Sequence, residues 1–181
     1  GELIQTLGRG VLLAAALLLF IVVALLLGGA QSELRLTPAL LLNGVVLGLG
    51  VGFAEELLFR GWLFGELSLL LGHQRALWLQ AAIFSLVHTR FHLPGLELLL
   101  LLGGLALFGV LLAEQRDGDQ GVLWGAIGLH GGAVGGWFLL SQGVLDLQSA
   151  GPAWLLSPDN PIGGVAGWIA LVVLLLALRR S

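Results

Sequence analysis

Residues 53–60 read FAEELLFR and place Glu55, Glu56 and Arg60 inside a long apolar run. An Asp or Arg at the centre of a membrane helix costs about 2.5–3.5 kcal/mol on insertion scales, so three ionisable groups there must pair and face the interior. Glu56 and Arg60 are four residues apart on one helical face, with the acid N-terminal to the base, the favourable order. That pair can neutralise itself. Glu55 lies about 100° round the helix from Glu56 and has no partner within its own helix. A carboxylate in apolar surroundings can serve as a general base near neutral pH. The competing reading is a structural ion pair with a spare acid at the membrane interface, but one pair does not require a second Glu.

The rest of the chain makes the apolar context general. Of 181 residues, 57% are hydrophobic and 10% charged, and the mean hydropathy is +1.00. Soluble domains carry roughly a quarter charged residues. The expectation is an all-α, polytopic membrane helix bundle, a single domain over 1–181 embedded in a lipid bilayer. The eight basic residues are all Arg, and with a net charge of −3 they form no basic stripe, so nucleic acid is not an expected partner. Cysteine is absent, which excludes disulfides, thiolate nucleophiles and Cys-ligated metals. Methionine is absent too, so residue 1 is read as other than a natural start. The first apolar run has no small-residue cleavage site before the next polar loop and reads as a retained span.

Apolar runs of about 20 residues are candidate spanning helices, and six are expected: 10–29, 38–69, 76–93, 96–114, 121–142 and 162–178. Pro38 suits a first helical turn. The second run is too long to stand upright and should tilt or project beyond the lipid. Pro94-Gly95 should stop the third, EQRDGDQG at 114–121 reads as a polar turn, and 143–161 is a longer loop with three prolines. With the N-terminus inside, the cytoplasmic pieces hold Arg9, Arg75, Arg116, Arg179 and Arg180, against Arg35 and Arg90 outside. Both termini are then cytoplasmic.

Two histidines also fall inside spans, His88 in AAIFSLVHTRF and His130 in GAIGLHGGAVGGWF. At about 1.5 Å per residue from the cytoplasmic end of each span, Glu55 lies roughly 21 Å deep, His88 roughly 18 Å and His130 roughly 14 Å. Three spans of alternating direction thus bring three functional groups to similar depth. Gly128, Gly131, Gly132, Gly135 and Gly136 suit close helix approach, and they would also leave room for substrate or expose backbone N–H groups. His73 reads as a solvated turn residue. His92, four residues after His88, would share its face in HTRFH as a metal ligand if the helix continued. No HExxH motif occurs. Ser85 lacks the glycines of a serine-protease elbow, and Asp117, Asp119, Asp146 and Asp159 all sit in expected loops.

Three segments together resemble the CPBP family, also called the Abi or type II CAAX prenyl endopeptidase family. Glu55 to Arg60 fits an EExxxR motif, Phe84 to His88 an FxxxH motif, and His130 the third, histidine-led motif. The resemblance covers roughly 38–142, the expected catalytic core. It implies an intramembrane protease in which Glu55 activates the water that attacks a scissile amide. Glu56 and Arg60 would orient Glu55, and His88 and His130 would polarise water or hold the developing oxyanion, with Phe84 and Val134 beside them. Zinc is left open: Glu55, His88 and His130 are the candidate ligands, and a zinc site would hand the base role to Glu56. The family's third motif continues His-x-x-x-Asn or Asp, whereas the chain has Val134 at that spacing. Asn43, twelve residues before Glu55, is too far along its helix to replace that amide, which leaves backbone N–H groups around Gly131 or Gly135, or else low activity. The function expected is an intramembrane endopeptidase acting on a peptide or membrane-protein segment, at a site opening towards the cytoplasm. The alternative is a non-catalytic scaffold or immunity-type binding protein that retains the site.

Overall fold

A computed structural model describes residues 2–180. In chain order the elements are α1 (Glu2–Leu27), β1 (Gln31–Ser32), α2 (Pro38–Glu56), a π-helical segment (Leu57–Leu63), α3 (Phe64–Leu71), α4 (His73–Val87), α5 (Gly95–Gly118), α6 (Trp124–Gly143), β2 (Leu145–Asp146), α7 (Ala153–Leu156) and α8 (Val165–Leu178). The all-α membrane bundle is as expected. Three stretches, Glu2–Leu27, Pro38–Leu71 and Gly95–Gly118, are long and apolar enough to cross a membrane, and Val165–Leu178 is a shorter apolar helix. Six spans of that quality were expected. His73–Val87 is too short, and Trp124–Gly143 is Gly-rich and diluted by polar groups. The exterior is apolar as lipid requires, with Leu12, Leu19, Leu42, Val46, Leu49 and Trp62 all exposed. The chain is an integral membrane protein.

α2 begins where the sequence says it should. Thr37 is in extended conformation, its Oγ1 accepts the Leu40 N–H at 3.2 Å, and Pro38 occupies the first turn. The helical path continues to Leu71 through the π-segment, where the Phe64 N–H reaches back five residues to the Phe59 carbonyl. Such wide turns occur mostly at functional sites, and this one follows directly on Glu56.

α6 is the central element, flanked by α1 and α2. Glycine makes both contacts possible. A Cβ on Gly131 would stand 2.5 Å from the Gly48 carbonyl oxygen, and one on Gly52 2.8 Å from the Ile127 carbonyl. Backbones this close gain van der Waals contact that bulkier residues would prevent. Gly131 and Gly135 are therefore packing residues turned to α2. The expectation that their N–H groups line the site is overturned, since mid-helix N–H groups are also committed to carbonyls four residues back.

Three boundaries differ from expectation. α4 ends at Val87, six residues before the expected 93. His88 is its C-cap (φ −96°, ψ 13°), and 88–92 is not helical, so His88 and exposed His92 share no helix face. α5 runs on through EQRDG to Gly118, and the chain then reverses at Gln120 and Gly121, both with positive φ. The 143–161 loop carries β2, paired antiparallel with β1, and the short α7. His73 opens α4 and its Nε2 lies 3.0 Å from Asp117 Oδ2, so it is not merely a solvated turn. Arg9 pairs with Asp119, and Arg179 Nη2 with Glu114 at 2.6 Å. These pairs bring the start of α1 and the end of α8 to the C-terminal end of α5.

Candidate active site

The π-turn separates the two glutamates into different environments. Glu56 and Arg60 are fully buried, and Arg60 Nη1 donates to Glu56 Oε1 at 2.9 Å. Arg60 Nη2 donates to the Gly109 carbonyl of α5 at 3.2 Å, and its guanidinium lies 4.3 Å from the centre of the Phe84 ring. The expected ion pair is present, but it is not self-contained. Glu56 Oε1 also takes the Nδ1–H of His130 at 2.7 Å. One buried carboxylate oxygen thus ties α2, the π-segment and α6 together.

Glu55 points the other way, its side chain 27% exposed. Its Oε2 is 3.4 Å from His88 Nε2 and 3.9 Å from His130 Nε2, and it has no hydrogen-bond partner. His88 reaches it because the helix has ended. The His88 Nδ1–H donates to the Phe84 carbonyl at 2.7 Å, capping the last turn with its own side chain and turning Nε2 towards Glu55. Both rings therefore have Nδ1 fixed on an oxygen acceptor. Each Nε2 is free to accept a proton or, once protonated, to donate towards Glu55. With both glutamates ionised and Arg60 charged, the cluster carries one net negative charge, which a proton on either ring neutralises. Phe84 packs against both imidazoles, its centroid 4.7 Å from His88 and 5.8 Å from His130, while Phe108 meets His130 edge-on at 5.4 Å.

Glu55, His88 and His130 face a cavity of about 410 Å³ that Phe84, Val134 and Asn160 also line. This is within the usual size of ligand sites. All seven side chains singled out in the sequence, Glu55, Glu56, Arg60, Phe84, His88, His130 and Val134, come together around one centre. Two further residues near the cluster were not singled out. Gln80, fully buried, donates from Nε2 to the Gly109 carbonyl at 3.1 Å and so supports the Arg60 acceptor. A lone Gln in the apolar run ALWLQAAIF was the available signal. Asn160 arrives from the loop before α8, and no spacing rule on one helix could have found it.

The cavity is lined from Glu55 out to Arg90, Ser141 and Asp159–Pro161. It therefore opens at the end of the bundle where β1 and β2 pair, opposite the end that gathers Glu2 and Arg180. Cytoplasmic termini and a cytoplasmic mouth cannot both hold. The expectation of that combination came from treating Glu55 as reachable from the residue 69 end of its helix.

Among the described residues no three His, Asp or Glu side chains are gathered so as to hold a metal ion. Glu56, which would have to act as base beside a zinc bound to Glu55, is sealed against Arg60 and His130. A metal held by Glu55 would therefore have no free carboxylate base beside it.

Residues 37–135 match the family described as Type II CAAX prenyl endopeptidase Rce1-like. No curated protein and no solved structure matches the chain. The matched span includes the EExxxR and FxxxH segments and His130, and stops short of the loop that supplies Asn160.

Proposed function

We propose, from the premise that this chain belongs to the type II CAAX prenyl endopeptidase Rce1-like family, that it is an intramembrane endopeptidase whose general base is Glu55. The observation that carries the reading is the division of labour between adjacent glutamates. Glu56 is fully buried with its Oε1 held by both Arg60 and His130, while Glu55 is partly exposed, lines the cavity and has its Oε2 beside two imidazole Nε2 atoms. A carboxylate oxygen of that kind accepts the O–H of a water and orients it. As the water oxygen bonds to the scissile carbonyl carbon, Glu55 takes its proton, and the carbonyl π electrons move to oxygen. When the C–N bond breaks, the proton passes from Glu55 to the leaving amine, and a free carboxyl group and amine result. His88 and His130 hold Glu55 from either side, and a ring protonated on Nε2 steadies its negative charge. The substrate is a peptide or membrane-protein segment.

The arginine balance assigns the termini to the cytoplasm. The cavity mouth then faces the opposite side, and the substrate approaches from there. The test is a comparison of polypeptide termini in membranes carrying the chain or its Glu55→Gln variant. New termini present with the parent and lost with the variant, at equal protein level, support the reading. Identical sets remove it.

A further inference from the structure

Peptide hydrolysis by activated water needs a donor for the oxygen that becomes negative when the tetrahedral intermediate forms. The side chains with polar atoms that line the cavity are Glu55, His88, Arg90, His130, Trp137, Ser141, Asp159 and Asn160. Trp137 is seven residues beyond His130 on α6, about 10 Å along the helix, and its ring packs against the apolar core. The two carboxylates cannot donate. Both imidazole Nε2 atoms are turned to Glu55. Ser141 is eleven residues beyond His130 on α6, about 16 Å along the helix, and its hydroxyl leans to the Phe138 carbonyl. Arg90 is exposed on the turn after α4. Asn160 differs from all of these. It is half-buried, and its backbone is fixed at both ends: its N–H donates to the Ser157 carbonyl at 3.0 Å, and its C=O accepts the Gly163 N–H at 2.8 Å. The following residues are clamped as well. Ile162 lies against Gly104 of α5 and Pro161 against Gly167 of α8, where glycine leaves room for the loop backbone. The side-chain amide has no partner among the described residues, while its backbone is held by hydrogen bonds on both sides. A neutral donor on a rigid support is the form in which oxyanion stabilisation is most effective, because nothing has to reorganise during the reaction.

We propose that Asn160 is a catalytic residue whose amide N–H₂ donates to the oxyanion formed in the cavity. This role rests on the peptidase reading above. It accounts for a valine at 134, one helical turn beyond His130, since the donor is then delivered from the loop before α8 and not from α6.

The test uses the full chain in lipid nanodiscs, hydrolysing a pool of quenched fluorogenic peptides varied around the scissile bond. Asn160→Ala should lower kcat about 10²–10³-fold, with KM within a few-fold of the parent. Its thermal midpoint should be unchanged, because the amide supports no other group. Asn160→Asp keeps the size and loses the donor, and it should be at least as slow. Val134→Asn should restore activity tenfold or more in the Asn160→Ala background and gain less in the parent chain, since one donor suffices. Four results overturn the role: Asn160→Ala within about three-fold of the parent, a loss confined to KM, a fallen thermal midpoint with Asn160→Asp fully active, or Arg90→Ala taking the large kcat loss instead. In each of these, Glu55→Gln still abolishes cleavage and the peptidase reading stands. A parent chain that cleaves nothing in the pool brings down that reading and the Asn160 role with it.

Discussion

Replacing Glu56 with alanine should damage the fold more than replacing Arg60 with methionine, although the two residues form one ion pair. Each substitution breaks a fully buried salt bridge, which costs about 3–5 kcal/mol when one partner is left behind. The difference lies in what else is orphaned. Without Glu56, the Arg60 charge keeps the Gly109 carbonyl and the Phe59 and Phe84 rings, and the His130 Nδ1–H loses its acceptor. An unsatisfied buried donor adds about 1–3 kcal/mol, for a total of about 4–8, comparable to the whole stability of many domains. Without Arg60, Glu56 keeps His130, and the Gly109 carbonyl keeps Gln80. The gap of about 1–3 kcal/mol corresponds to several degrees, at about 2–4 °C per kcal/mol for a chain this size. The assay is the thermal midpoint of purified protein in mild detergent, followed by size-exclusion fluorescence. The double variant should recover part of the loss, because the uncompensated charge is gone. Equal midpoints for the two single variants, or a lower one for Arg60→Met, would refute the network as drawn.

Other consequences are open to direct measurement. Gly131→Ala should cost about 1–3 kcal/mol by overpacking α6 against α2, whereas Gly50→Ala, with open space around it, should be neutral or slightly stabilising; both read out as detergent midpoints. Thr37→Ala should lower stability by about 0.5–2 kcal/mol through loss of the α2 N-cap. Chelator treatment should leave peptide hydrolysis unchanged, and elemental analysis should find no stoichiometric zinc in active protein. The absence of native cysteine makes a topology scan simple: cysteine at Ser149 should react with an impermeant thiol reagent from outside intact cells, and cysteine at Gln120 only after permeabilisation.

The site was far more legible than the helix boundaries, for a physical reason. Buried charge is expensive enough in a membrane to advertise itself, so Glu55, Glu56, Arg60, His88 and His130 stood out against leucine and glycine, and helix rise alone placed three of them at one depth. Helix ends carry no such penalty. His88 ends α4 by capping it with its own ring, which no Gly or Pro signals, so the stop was placed at Pro94. At 114–118 hydropathy falls where lipid ends, but Glu, Gln and Arg are good helix formers and the helix continues. The role of Glu56 was half legible: spacing gave Arg60, while the bond to His130 depends on how α6 crosses α2. Asn160 lay beyond reach because its position follows from a clamped loop, which no spacing along one helix reveals. The pairing of cytoplasmic termini with a cytoplasmic mouth fails for a related reason, since depth along one helix does not say from which end a group is approached.

The most direct test of the central claim, that Glu55 is the base and Glu56 its buried support, is the rate of peptide hydrolysis by purified Glu55→Gln in nanodiscs beside the parent chain, with thermal midpoints recorded on the same samples. The account predicts no detectable cleavage by Glu55→Gln at a midpoint close to the parent's. Undiminished cleavage by a well-folded Glu55→Gln protein would contradict it.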